Sequence, residues 1–228
     1  MSVWFFMLIP WAALVLGAIA ATVRTFSPSV TSGIQHLAAG VVFAAAATEV
    51  LPAIRHSGAT SAILIGGFLG LATMLGVKAI GRRLPGAWSL VVLVAIDFFI
   101  DGVVVGIGFA AGEEQGTILL IALTAEILFL GLSATEELRE VVKSRLAVIA
   151  TVLAGGALLP LGALLGEPVH MLPPFYLTAS FTFALIALLY LVTEELLVEA
   201  HQKPDSSLVT SMFFVGFLGL LALETPIG

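Results

Sequence analysis

The sequence predicts an all-α polytopic membrane protein with eight transmembrane helices in a 3+2+3 inverted-repeat bundle, built as one transmembrane domain over residues 1–228. Three observations predict this class. Hydrophobic residues make up 60% of the chain and charged residues only 11%, against roughly 25% charged in a soluble domain. Apolar runs of about 20 residues, the length that crosses a hydrocarbon core, recur from end to end. The segment Thr48-Glu49-Val50-Leu51 returns as Thr193-Glu194-Glu195-Leu196, in helices that cross in opposite directions.

The apolar runs place helices at 3–23, 31–54, 59–80, 88–111, 117–138, 146–166, 174–199 and 207–225. The first lacks a basic leader and a small-residue cleavage site, so it reads as a span and not a removable signal. Proline and glycine mark the joins at Pro28, Pro52, Gly58, Pro85-Gly86, Gly112, Pro168, Pro173-Pro174 and Pro204. Pro10 and Pro160 fall inside spans, where neighbours must satisfy the freed backbone groups. The joins are short and leave no room for a further domain.

Charge sets the orientation. With the N-terminus outside, the inner loops collect Arg24, Lys78, Arg82, Arg83, Arg139, Lys143, Arg145 and Lys203, and only Arg55 falls outside. That bias predicts a multi-pass protein of the cell membrane with both termini outside. The repeat then divides the chain into halves 1–80 and 146–228 around central helices over 88–138. Inverted repeats of this kind are frequent in secondary transporters, with the site near the midplane. The chain has no cysteine, which excludes disulfides and thiolate sites, and its net charge of -6 without a basic stripe speaks against nucleic acid.

The candidate site is acidic. Asp97 and Asp101 lie four residues apart near the middle of the fourth helix, so they share one face. An ionised Asp at the bilayer centre costs on the order of 2.5–3.5 kcal/mol, so both should point into the protein, at a partner or a pathway. Glu126 stands near the middle of the fifth helix and heads a stripe through Leu130, Ser133 and Glu137. Together Asp97, Asp101 and Glu126 offer hard oxygens for a divalent cation. Glu49 and Glu194 are expected at the outer and inner ends of the path, where they would attract cations at each mouth. The four histidines are read as edge residues: His56, His170 and His201 near the membrane surfaces and His36 at the start of the second helix. Gly102 and Gly106, four apart, point to close helix packing.

Several of these segments resemble the ZIP (Zrt/Irt-like) family of divalent metal transporters. Leu37-Ala38-Ala39-Gly40-Val41 through Glu49-Val50-Leu51-Pro52 is similar to that family's second helix. Leu188-Leu189-Tyr190 through Glu194-Glu195-Leu196-Leu197 is similar to its seventh. Asp101-Gly102 resembles the end of its fourth-helix motif, His-Asn-x-x-Asp/Glu-Gly. The resemblance implies transport of zinc first, with iron(II) as the alternative, the metal being cargo and no resident cofactor being needed, while the oxygen donors add manganese as a further possibility. It also implies metal contacts at the fourth- and fifth-helix acids. Departures mark a divergent member. Asp97 stands where the motif has His, and Phe98 where it has Asn. Ala125, Leu128, Phe129 and Leu130 replace the His, Pro, His and Glu of the family's fifth-helix motif. Oxygen donors in place of imidazole predict a broadened site with less preference for zinc.

The expected partners are therefore a divalent metal ion and the bilayer, and a homodimer is compatible with the sequence. No enzymatic activity is expected. Two rivals stand beside the transporter: a non-transporting membrane scaffold of carrier descent, and a glutamate-type intramembrane protease suggested by Glu136-Glu137 and Glu194-Glu195. The protease lacks its Arg spacing here, and no His-Glu-x-x-His is present.

Overall fold

The computed structural model describes residues 3–23, 26–55, 59–85, 87–202 and 206–224, the side chains of 55, 87, 88, 140 and 141 excepted. Arg24, His56, Gly58, Gly86, Lys203, Pro204 and both chain ends lie outside the described residues. Eight helices among those described are long and apolar enough to cross a membrane: α1 Val3–Val23, α2 Pro28–Ile54, α3 Thr60–Gly81, α4 Ser89–Ala111, α5 Glu113–Arg139, α6 Arg145–Met171, α7 Pro174–His201 and α8 Ser207–Glu224. No strand occurs among the described residues. The protein is an all-α, multi-pass membrane protein.

Some ends differ from the sequence expectation. α2 starts three residues early because Pro28 occupies its first turn, where a missing N–H costs nothing, and Ser27 caps it by accepting from the Val30 N–H. His36 is thus well inside α2 and buried, not a helix-end residue. The α-helical part of α6 ends at Gly166, as expected, and the span continues through Pro168 as a 3-10 turn, Glu167–Met171. Pro52 likewise lies inside α2, in the segment Leu51–Arg55.

Proline explains two joints. α1 is broken at Met7, between Val3–Phe6 and Leu8–Val23. α6 is broken at Ala157, between Arg145–Gly156 and Leu158–Gly166. Each joint lies three residues before a proline, Pro10 or Pro160. The pyrrolidine ring clashes with the carbonyl four residues back, here that of Phe6 or Gly156, and the turn must open.

α2 and α7 share another device. Each contains a π-turn, Ala46–Val50 in α2 and Leu191–Leu196 in α7. The Leu51 N–H bonds Ala46 O and the Leu197 N–H bonds Val192 O, both five residues back. In each turn the threonine hydroxyl bonds a carbonyl four residues back: Thr48 to Ala44 O at 2.9 Å, Thr193 to Leu189 O at 2.8 Å. Such back-bonding competes with the backbone ladder and bends helices.

The closest helix pairs are α1 with α5, α6 with α4, α2 with α8 and α7 with α3, while α4 and α5 also pack together. Exchanging α1/α6, α2/α7, α3/α8 and α4/α5 maps this pattern onto itself. All four pairs are seated on glycine. A Cβ on Gly17, Gly66 or Gly102 would fall 2.1 Å from the carbonyl oxygen of Leu128, Ala179 or Leu159 respectively, and one on Gly40 would fall 1.9 Å from that of Phe213. Small residues let backbones meet where lipid provides no hydrophobic drive for helix association. α5 is the most enclosed span, whereas α3 and α8 expose Leu64, Phe68, Phe214 and Leu218 on their outer faces. Lipid-facing apolar side chains of this kind are ordinary in a bilayer.

Candidate functional site

The interior is largely apolar, so an acid there is conspicuous. Glu126 of α5 is 0% exposed and Asp101 of α4 is 3% exposed. Neither Glu126 oxygen has a hydrogen-bond partner among the described residues, nor has Asp101 Oδ2 or the buried Asp97 Oδ1. Burying a polar group without a partner costs on the order of 1–3 kcal/mol, and more for a charged one. The packing of α4 on α5 brings these three carboxylates within Coulombic range of one another. The four-residue spacing on α4 and the mid-span position on α5 produce this juxtaposition directly.

A cavity of about 300 Å³ opens beside the cluster. Its acidic lining is Asp97, Glu126 and Glu137 from the central helices, with Glu194, Glu195 and Glu199 from α7. The stripe Glu126, Leu130, Ser133 and Glu137 contributes all four of its residues to this lining. The cavity therefore runs from the buried carboxylates along α5 toward its C-terminal end. Apolar walls from Val94, Phe129 and Leu191 keep the dielectric low, which strengthens every charge interaction inside. Phe129 is buried in that wall and supplies no ligand.

Glu194 and Glu49 sit at opposite ends of the bundle. Glu194 lies at the cavity mouth and pairs with Lys78 of α3 at 3.2 Å, with the two side chains 49% and 43% exposed. Lys78 also sits 5.7 Å from the centre of the Tyr190 ring. Glu49 is buried and does not line the cavity. Its acidic neighbours are Glu224, at the end of α8, and Glu114, at the start of α5. Thr48 Oγ1 lies 2.8 Å from Glu224 Oε1. Arg139 marks the Glu194 end as well, donating to Ala21 O at 2.7 Å and so tying the end of α5 to the end of α1.

Sequence reasoning missed Glu195 and Glu199. Both line the cavity, and both lie within Coulombic range of Asp97 and Glu126. Gln35 of α2 donates to Glu199 Oε2 at 2.7 Å. The four-residue spacing of Glu195 and Glu199 was the available signal. The π-turn obscured it, because an extra residue in the turn rotates everything after it relative to a 3.6-residue count. The α7 π-turn is one residue longer than that of α2, so the threonines pair Glu49 with Glu194 whereas the five-back bonds pair it with Glu195.

None of the described histidines lines this cavity. His170 and His201 are exposed, as expected of edge residues. His36 is buried, its ring centre 5.1 Å from that of His201. Its Nδ1 lies 2.9 Å from Ser32 O. Among the described residues, no three carboxylate or imidazole groups stand in a ready-made metal-ligating arrangement. No family model matches the chain, and no curated protein matches it.

Proposed function

We propose that this protein is a membrane transporter of divalent metal cations, which pass through the midplane carboxylates Asp97, Asp101 and Glu126. One observation carries the reading: buried acids without partners are grouped on two central helices, and two of them, Asp97 and Glu126, line a cavity whose charged lining is acidic except for Lys78 at its mouth. Intramembrane ionisable groups are costly, and their common use is an ion or substrate path. A cation offsets that cost by supplying the missing partner. The carboxylates and Ser133 are oxygen donors, which accept zinc but also suit harder ions such as manganese. Zinc remains the first substrate, with manganese or iron(II) as alternatives and with weaker discrimination than an imidazole site gives. The basic residues support a membrane orientation with the Glu194 end cytoplasmic and both termini outside. The resemblance of α2, α4 and α7 to ZIP-family helices supports the same reading.

A non-transporting membrane scaffold of carrier descent is the second reading, favoured by the lack of a ready-made three-ligand arrangement among the described residues. Metal-dependent thermal stabilisation separates the two. Purified protein in detergent, melted with and without zinc or manganese, should gain stability with metal, and proteoliposomes should accumulate it. A melting curve indifferent to every divalent cation tested decides for the scaffold.

A further inference from the structure

We propose that the groove between α3 and α7, at the end of the bundle where Lys78 meets Glu194, binds the headgroup of an anionic phospholipid. The groove has a volume of about 730 Å³. Leu71, Leu75 and Ile186 form an apolar wall, and Lys78, Arg82 and Arg83 form its basic end. Those three cations are a third of the nine Lys and Arg residues in a chain of net charge -6. Arg82 and Arg83 stand in the turn just past Gly81, where a 22-residue span leaves the hydrocarbon. Leu75 and Leu71 lie about two and three turns back from Arg82 along α3, at acyl-chain depth.

The chemistry selects the occupant. Guanidinium groups bind phosphate oxygens through paired N–H donors. A trough that is basic at headgroup level and apolar below it matches a phospholipid along its length, whereas free phosphate uses only one end. Basic pockets at this depth recognise anionic headgroups through these forces. The groove also shares Lys78, Tyr190 and Glu194 with the acidic cavity. A phosphate in the groove competes with Glu194 for Lys78, which frees the Glu194 carboxylate at the cavity mouth. That consequence rests on the transport reading; the lipid site itself does not.

Native mass spectrometry of the full chain in detergent tests the site, with dioctanoyl phosphatidylglycerol, dioctanoyl phosphatidylcholine and inorganic phosphate as probes. The anionic lipid should bind in preference to the zwitterionic one. The Arg82→Gln/Arg83→Gln pair should weaken it about 30-fold, the factor corresponding to about 2 kcal/mol for two interfacial charges. The pair Lys143→Gln/Arg145→Gln, at basic positions outside the groove, should leave the preference intact. Equal binding of the two lipids overturns the proposal. An equal loss in both double variants reduces it to general surface charge and also overturns it. Displacement of the lipid by inorganic phosphate assigns the groove to free phosphate instead. The single variants Arg82→Gln and Arg83→Gln serve the same purpose where the double variant fails to fold. None of these readings uses metal, so failure here is distinguishable from failure of the transport reading.

Discussion

Gly102→Ala tests whether the carboxylate cluster depends on how closely α4 approaches α6. A Cβ at Gly102 would stand 2.1 Å from Leu159 O, where ordinary contact begins near 3.4 Å, so the helices must part by about 1.3 Å. The obstacle is backbone, and no rotamer change relieves it. Neighbours reinforce the seam, since a Cβ on Gly106, Gly162 or Gly166 would meet a carbonyl oxygen at 2.4, 2.1 or 2.3 Å. Overpacking of this kind costs about 1–3 kcal/mol. At about 2–4 °C per kcal/mol for a chain of this size, the melting temperature should fall by about 2–12 °C. Gly76→Ala is the matched control, since a Cβ there meets nothing within 4 Å. Thermal melts of both variants in the same detergent make the comparison. Asp101 adjoins the seam, so metal-dependent stabilisation should also weaken in Gly102→Ala. A Gly102→Ala protein that melts with the wild type would show that this interface is not close-packed and would remove the account of how Asp101 is held.

The other expectations concern the acids. Glu126→Met should raise the melting temperature without metal, because it replaces a buried acid lacking partners with an apolar side chain of similar length, yet abolish stabilisation by zinc; a loss of both would make Glu126 a structural residue. Metal binding should weaken as pH falls, because protons compete for the same carboxylate oxygens; isothermal titration across a pH series checks the sign, and a flat profile excludes a carboxylate site. Glu195→Gln should raise the metal concentration needed for half-maximal uptake more than Glu194→Gln does, since Lys78 already compensates Glu194; equal effects in a proteoliposome assay would show that the ion pair does not set the two glutamates apart. Asp97→His should shift competition between zinc and manganese toward zinc, as an imidazole donor favours the softer ion; an unchanged ratio would place Asp97 outside the site.

Composition and periodicity alone made the eight spans legible, because the bilayer demands long apolar helices and offers few alternatives. The pairing of Asp97 with Asp101, and the α5 stripe from Glu126 to Glu137, were legible for the same reason: both lie on uninterrupted α-helix, where spacing fixes the face. What failed to show in the sequence lies at interruptions. Pro28 read as a join and proved to be a first-turn residue, and His36 moved from a helix end into the core with it. Glu195 and Glu199 were hidden behind a π-turn that no propensity marks. The partners of Glu49 were equally out of reach, since Glu114 and Glu224 are brought to it by tertiary packing alone.

The two Thr-Glu segments show how repetition and chemistry separate in this chain. The same short sequence produces the same backbone device twice, a π-turn with a threonine bonded four residues back, and the same kind of glycine-seated neighbour, α8 for α2 and α3 for α7. Symmetry ends at the next shell. Beside α2 the device meets two acids, Glu114 and Glu224; beside α7 it meets a cation, Lys78, and an acidic cavity. The second copy also carries one more glutamate than the first, which lets Glu194 hold Lys78 at the mouth while Glu195 lines the cavity beneath it. A strict repeat would have no means of giving its two ends different charges. The fold thus draws on what the halves share, and the site on the residues by which they differ.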